Sequence, residues 1–232
     1  MEAFVLAGGY GRRLASVVSD VPKPMAPVHG KPLLHYLVQY LAYNAVSRIV
    51  FCCGYLHEAI ERYFGAEFHG ITIDYSVERE PLGTGGALVN ALHLMREEVC
   101  LVLNGDSFFK AALGKLLAAH KDNNSDVTIA LKEQSRLDRY GAVRLQGNRI
   151  IAFSEKQSDA RGLANGGVYV VRKSAFQSLV LPKSFSLEKD FLERYCGQLT
   201  FTGVIDKGYF IDIGTPEDYQ RAQVEFRQLE YV

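Results

Sequence analysis

MEAFVLAGGYGRRL, residues 1–14, is the stretch on which the fold is decided. Glu2 to Leu6 is of strand length and apolar from Ala3 onward, and Ala7 leads it into Gly8-Gly9. It therefore reads as a buried strand that opens directly into a glycine-rich loop. Glycines there bring backbone N–H groups close to a phosphate or a base, and Arg12 and Arg13 supply charge. Taken alone, the loop is equally a plain glycine turn between strand and helix.

Outward from this start, apolar runs of strand length alternate with segments of helical period. Leu33 to Tyr43 is expected to be helical, Arg48 to Cys53 a strand, His57 to Phe64 a helix and Thr72 to Val77 a strand. A helix over Thr84 to Leu94, a strong strand over Val99 to Leu103, a helix over Leu113 to Lys121 and a strand over Val127 to Leu131 continue the rhythm. Such alternation belongs to a doubly wound α/β sheet covered on both faces. After about residue 135 the pattern changes. Ala142 to Leu145, Ile150 to Ser154 and Asn165 to Val171 read as strands without intervening helices, and Gln146-Gly147-Asn148 as a hairpin turn. A helix near Leu187 to Tyr195, strands at Leu199 to Val204 and Tyr209 to Ile211, and a last helix from Pro216 with Thr215 as its N-cap follow. No Pro- or Ser-rich linker interrupts the chain, so residues 1–232 are expected to form one domain with an antiparallel second half.

Composition narrows the function. The 26 basic side chains are matched by 26 acidic ones, so attraction to nucleic acid through bulk charge is not expected, and any phosphate site must be local. No run of about 18 apolar residues is present to span a bilayer. Met1 to Leu6 carries no basic leader, and the four cysteines lack C-x-x-C spacing. Free thiols in a reducing cytoplasm are the expectation.

The local site is visible once the average is undone. Between Gly8 and Lys31 stand Arg12, Arg13, Lys23 and Lys31 against a single acid, Asp20. The loop is neither a Walker loop nor a dinucleotide fingerprint, because it lacks the G-K-[ST] ending of the first and the third glycine of the second. Pro22 and Pro24 flank Lys23, stiffen the backbone and reduce the entropy lost in aiming its ammonium, which suits a leaving pyrophosphate. Asp106 follows the strand ending at Leu103, on the edge where open α/β sheets bind ligands, and a carboxylate there can hold Mg²⁺ against phosphate oxygens. Asp212 follows another short apolar strand. Each aspartate alone is also an ordinary turn or capping residue.

Loop, lysine and spacing together resemble the sugar-1-phosphate nucleotidyltransferases, whose signature L-A-G-G-x-G-[ST]-R-L is followed by P-K-P. Arg12 stands where that signature has a small hydroxyl residue. The resemblance continues through Glu80 to Ala87, Asn104-Gly105-Asp106, Asn165-Gly166-Gly167-Val168-Tyr169 and Phe210 to Pro216, covering nearly the whole chain. It implies a Rossmann-like, GT-A-like α/β fold with a mixed sheet. Residues 1–135 would bind the nucleotide, and 136–232 the sugar phosphate. Arg13, Lys23 and Asp106 are the implied catalytic residues, with Asp106 and Asp212 as ligands of a Mg²⁺ cofactor. The implied nucleotide-binding residues are Leu6, Ala7, Gly8, Gly9, Gly11, Arg12, Glu78, Glu80, Pro81, Gly83, Thr84, Asn104 and Gly105. Tyr140, Gly141, Glu155, Lys156, Asn165 and Gly166 would meet the sugar phosphate, while Ser186 to Asp190 fits a helix-capping segment better than a ligand. Small residues at Gly83 to Ala87 would let a flat base or ribose lie on the backbone. A carboxylate at Glu78 or Glu80 suits the N1–H and 2-amino donors of guanine and finds no such pair on uracil.

Motif detail most resembles the short guanylyltransferases acting on a heptose 1-phosphate, so the implied partners are GTP and a sugar 1-phosphate, with a homodimer left open. Mannose 1-phosphate with GTP, an amino-sugar 1-phosphate with UTP, or a non-catalytic sugar-nucleotide sensor are the alternatives.

Overall fold

A computed structural model of the protein describes residues 1–9, 18, 20–135, 142–154, 161–227 and 229. Its parallel half is built from β1 (Glu2–Leu6), β4 (Arg48–Cys53), β6 (Ile71–Val77) and β7 (Val99–Asn104), with the small hairpin β2 (Pro27–Val28) and β3 (Lys31–Pro32) and the edge strand β5 (Glu67–Phe68) inserted between them. Helices α1 (Leu33–Tyr43), α2 (His57–Phe64) and α3 (Gly83–Ala91) make the connections. Then come β8 (Ser107–Phe109), α4 (Leu113–Asp122), β9 (Val127–Gln134), β10 (Ala142–Gln146), β11 (Arg149–Ser154), β12 (Gly162–Arg172) and α5 (Lys173–Gln177). A π-helical turn at Leu187–Glu193, β13 (Phe201–Ile205), β14 (Phe210–Asp212) and α6 (Pro216–Glu225) complete the chain.

Ten strands form one sheet in the order β10-β11-β13-β9-β12-β7-β1-β4-β6-β5. The mixed α/β expectation is met. In the second half, antiparallel pairing holds for β12 against β7 and β9 and for the β10–β11 hairpin, but β13 runs parallel to β9. The two expected parts also interleave, since β9 lies between β12 and β13.

Burial follows the alternation of side chains along each strand. In β1, Ala3 and Val5 face one apolar cluster with Leu34, Leu37, Phe51 and Phe108, while Phe4 and Leu6 face another with Leu88, Val102 and Tyr169. A strand covered on both faces must be apolar at every interior position, which is why β1 reads as a continuous run. Cys52, Cys53 and Cys100 are buried free thiols and Cys196 is partly exposed. Burial, the largest influence, pushes the Cys53 thiol up to about 12. Among the described residues no helix is long and apolar enough to cross a membrane.

Candidate active site

The carboxyl ends of β1, β4 and β7 meet through backbone hydrogen bonds. Ala7 N donates to Cys52 O (2.7 Å), Gly105 N to Leu6 O (2.9 Å) and Glu78 N to Cys53 O (2.8 Å). Leu6, Ala7, Gly8, Asn104 and Gly105 thereby share one edge, where an open α/β sheet places its ligands. Gly105 must be small, because a Cβ there would come within 2.8 Å of Leu6 O.

Glu78 and Glu80 part company. A Cβ on Gly8 would lie 2.2 Å from Glu78 Oε1, so the carboxylate rests against the loop backbone, and Glu78 Oε2 accepts Leu82 N–H at 2.7 Å. Burial raises the Glu78 pKa, partly offset by the Leu82 N–H. Glu80 is exposed and ion-paired with Lys183, which lowers its pKa. Among the described residues, Glu78 and not Glu80 meets the loop that follows β1.

The glycines that open α3 have a close neighbour within the chain itself. The segment from Lys183 to Leu187 lies on them: Gly85 N and Gly86 N donate to Phe185 O (3.0 and 3.3 Å), and Phe185 N donates to Leu82 O. These N–H groups at the helix start are thus satisfied within the protein. A Cβ on Gly83 would meet Phe185 O at 2.5 Å, and one on Gly85 would strike the Phe185 ring at 2.1 Å. Thr84 donates to Glu188 Oε2 (2.9 Å) and accepts Leu187 N–H (2.8 Å). Gly83 also has φ +70°, so Gly83→Ala is expected to cost about 1–3 kcal/mol through overpacking and backbone strain, measured as a shift in urea midpoint. An unchanged midpoint would show that residues 183–187 do not press on this turn. Ser186 Oγ accepts Lys189 N–H, the capping role expected of that segment.

Lys23 opens a short 3₁₀ turn, Lys23–Met25, entered through Pro22 and anchored by buried Pro24 and Met25. Its Nζ donates to Asp106 Oδ2 at 2.7 Å and to Asp212 Oδ1 at 3.2 Å. The two aspartates are brought together by β8 and β14, which pair antiparallel with Asp212 opposite Ser107. Burial alone would lower the Lys23 pKa, but the two carboxylates outweigh it and the ammonium is held above its ordinary value. With its side chain 11% exposed, Lys23 is a fixed buried cation between two acids.

That cation tests the site for a metal. Among the described residues, no group of three or more His, Cys, Asp or Glu side chains makes a cage. Mg²⁺ is usually held by one or two carboxylates plus substrate phosphates, so a pair of aspartates already sharing a positive charge fits it. A closed four-ligand zinc site does not fit.

On the far side of Asn104, Asn165 Oδ1 accepts Gly167 N–H (3.0 Å) and Asn165 Nδ2 donates to the Tyr169 hydroxyl (2.9 Å). Gly166 packs on Phe109, whose ring would be 2.3 Å from a Cβ. Pro81 accepts from the Ser184 hydroxyl through its carbonyl at the surface. Among the described residues, nothing comes within 4 Å of a Cβ built on Gly9. Gly11, Arg12, Arg13, Tyr140, Gly141, Glu155 and Lys156 lie outside the described residues. Tyr169 and Glu188 are site neighbours to which the sequence gives no site role, although Tyr169 ends the Asn165–Tyr169 match and Glu188 lies in the segment read as a cap. A tyrosine at a strand core position carries no signal beyond what phenylalanine would, and an acid after a serine reads as a cap.

Comparison with known proteins agrees with this geometry. The profile described as "Nucleotidyl transferase" matches residues 2–228. The D-glycero-alpha-D-manno-heptose 1-phosphate guanylyltransferase of Aneurinibacillus thermoaerophilus is 47% identical over 98% of this chain and 99% of its own. The protein of the same description from Campylobacter jejuni is 43% identical over 94% of this chain and 97% of its own. A crystal structure of HddC from Yersinia pseudotuberculosis complexed with GMP-PN superposes with a TM-score of 0.86 at 34% identity, covering 97% of this chain and 99% of that one.

Proposed function

Since the chain belongs to the nucleotidyl transferase family, we propose that it transfers GMP from GTP to D-glycero-α-D-manno-heptose 1-phosphate. The products are pyrophosphate and a GDP-sugar for surface-glycan assembly. A phosphate oxygen of the sugar 1-phosphate attacks the α-phosphorus of GTP, and the bond from that phosphorus to the bridging oxygen of pyrophosphate breaks. A phosphate monoester is already a competent nucleophile, so the protein's task is in-line positioning and charge neutralisation.

The observation that carries the reading is the Lys23–Asp106–Asp212 cluster at the carboxyl edge of the sheet. Lys23, joined by Arg13, is assigned to the charge on the departing pyrophosphate. Asp106 and Asp212 are assigned as the ligands of Mg²⁺, which when bound neutralises the triphosphate oxygens. Leu6 to Gly9, Gly11 and Arg12 line the nucleotide. Glu78 accepts from guanine N1–H and the 2-amino group, and its seat against Gly8 supports that choice over Glu80. Tyr140, Gly141, Glu155, Lys156, Asn165 and Gly166 remain the proposed sugar-phosphate contacts. A single domain is supported by the one continuous sheet, and a cytoplasmic setting by the free buried thiols.

The test is pyrophosphate release from each of the four NTPs with a panel of sugar 1-phosphates, with Mg²⁺ and with EDTA. GTP with the heptose 1-phosphate should be fastest, and EDTA should silence it. Preference for mannose 1-phosphate would overturn the acceptor, and preference for UTP the base. Silence on every pair would favour a sugar-nucleotide sensor.

A further inference from the structure

Tyr169 is completely buried in β12, opposite Val102 of β7 and Ile129 of β9. For packing alone phenylalanine would serve as well, and a buried hydroxyl is costly unless it is hydrogen-bonded. Asn165 donates to this one from the same strand at 2.9 Å, and the Asn104 side chain reaches toward it from the end of β7. Burial, the largest influence, keeps the phenol protonated far above neutral pH, so its oxygen is a neutral and permanent acceptor.

Each amide is also held from a second direction. The Asn165 orientation is set by Gly167 N–H on its Oδ1. Asn104 is pressed by Gly167, whose φ of +70° brings a bare Cα so near that a Cβ would lie 2.9 Å from Asn104 Nδ2. Among the described residues, Asn104 Oδ1 is buried and has no hydrogen-bond partner. An acceptor held in that state, two residues before Asp106, is matched by an O–H donor rather than by a phosphate oxygen.

We propose that Tyr169 is a positioning residue of the transfer reaction: its hydroxyl orients Asn104 and Asn165, so that Asn104 Oδ1 receives a substrate hydroxyl beside the metal-binding carboxylate. The inference rests on the guanylyltransferase reading above. The hydroxyl belongs to the acceptor sugar or to the ribose of the nucleotide, and steady-state kinetics distinguish the two. Tyr169→Phe keeps the ring and removes only the orienting atom. Its KM for one substrate is expected to rise about tenfold, the low end of what loss of an orienting partner costs, with the other KM nearly unchanged. A rise for heptose 1-phosphate assigns the sugar, and a rise for GTP assigns the ribose.

Asn104→Ala removes the acceptor itself, and circular dichroism checks that the variant folds. If Tyr169 acts through Asn104, the double variant should lose clearly less than the sum of the two single losses, whereas a merely structural tyrosine would add its own loss in full. Both KM values and kcat staying within about twofold of wild type in folded Tyr169→Phe, or full additivity in the double variant, would overturn the inference. A wild-type protein inactive on the GTP and heptose 1-phosphate pair would instead fell the functional reading, and this inference with it.

Discussion

Replacing Lys23 by alanine is expected to lower turnover by about 10²–10³-fold, the usual effect of deleting one preorganised group that faces developing transition-state charge. The expectation follows from placement. Pro22 and Pro24 deliver the ammonium to the point where β8 and β14 bring Asp106 and Asp212 together, and the two carboxylates hold it there. Its side chain is already ordered before substrate arrives, so little entropy is lost in using it. Pyrophosphate release at saturating GTP and heptose 1-phosphate measures the change, and circular dichroism checks the fold. Near-normal turnover in a folded Lys23→Ala protein would remove the role.

Asp106→Asn is expected to lower turnover by a similar order, about 10²-fold or more, and to raise the Mg²⁺ concentration needed for half-maximal rate. The amide keeps the shape of the side chain and an acceptor oxygen but not the charge, so it also weakens the hold on Lys23, now 2.7 Å from the carboxylate. Asp212 alone would then balance the charge of the cation. A Mg²⁺ titration of the variant against wild type reads the shift. An unaltered Mg²⁺ requirement with normal turnover would exclude Asp106 as a metal ligand.

Much of this was legible in residue order. Strands of five or six residues with apolar runs of four or five, such as β1, β4 and β7, and the capped helix at Thr215, announce themselves by local pattern. Lys23 between prolines, and Asp106 just past a buried strand, were likewise visible. The pairing of β8 with β14 was not. Each has three residues, too few to show a period, and they are about a hundred positions apart. Yet that pairing is what turns two ordinary aspartates into one site. Gly83, Gly85 and Gly86 are only half legible for a related reason. Their small size signals close approach, but residue order cannot say whether a ligand or a distant stretch of the same chain approaches, and here Phe185 does. The difference between Glu78 and Glu80 is equally tertiary, since it depends on which one meets Gly8 and which meets Lys183.

The place of β9 has a consequence for redesign. Although it precedes the change of rhythm near residue 135, it is hydrogen-bonded on one side to β12 and on the other to β13. Exchanging everything after residue 135 for the corresponding portion of a relative, to import a new sugar preference, would replace both neighbours of β9 at once and leave its register to chance. Acceptor preference in this scaffold is better transplanted one side chain at a time than as a cassette.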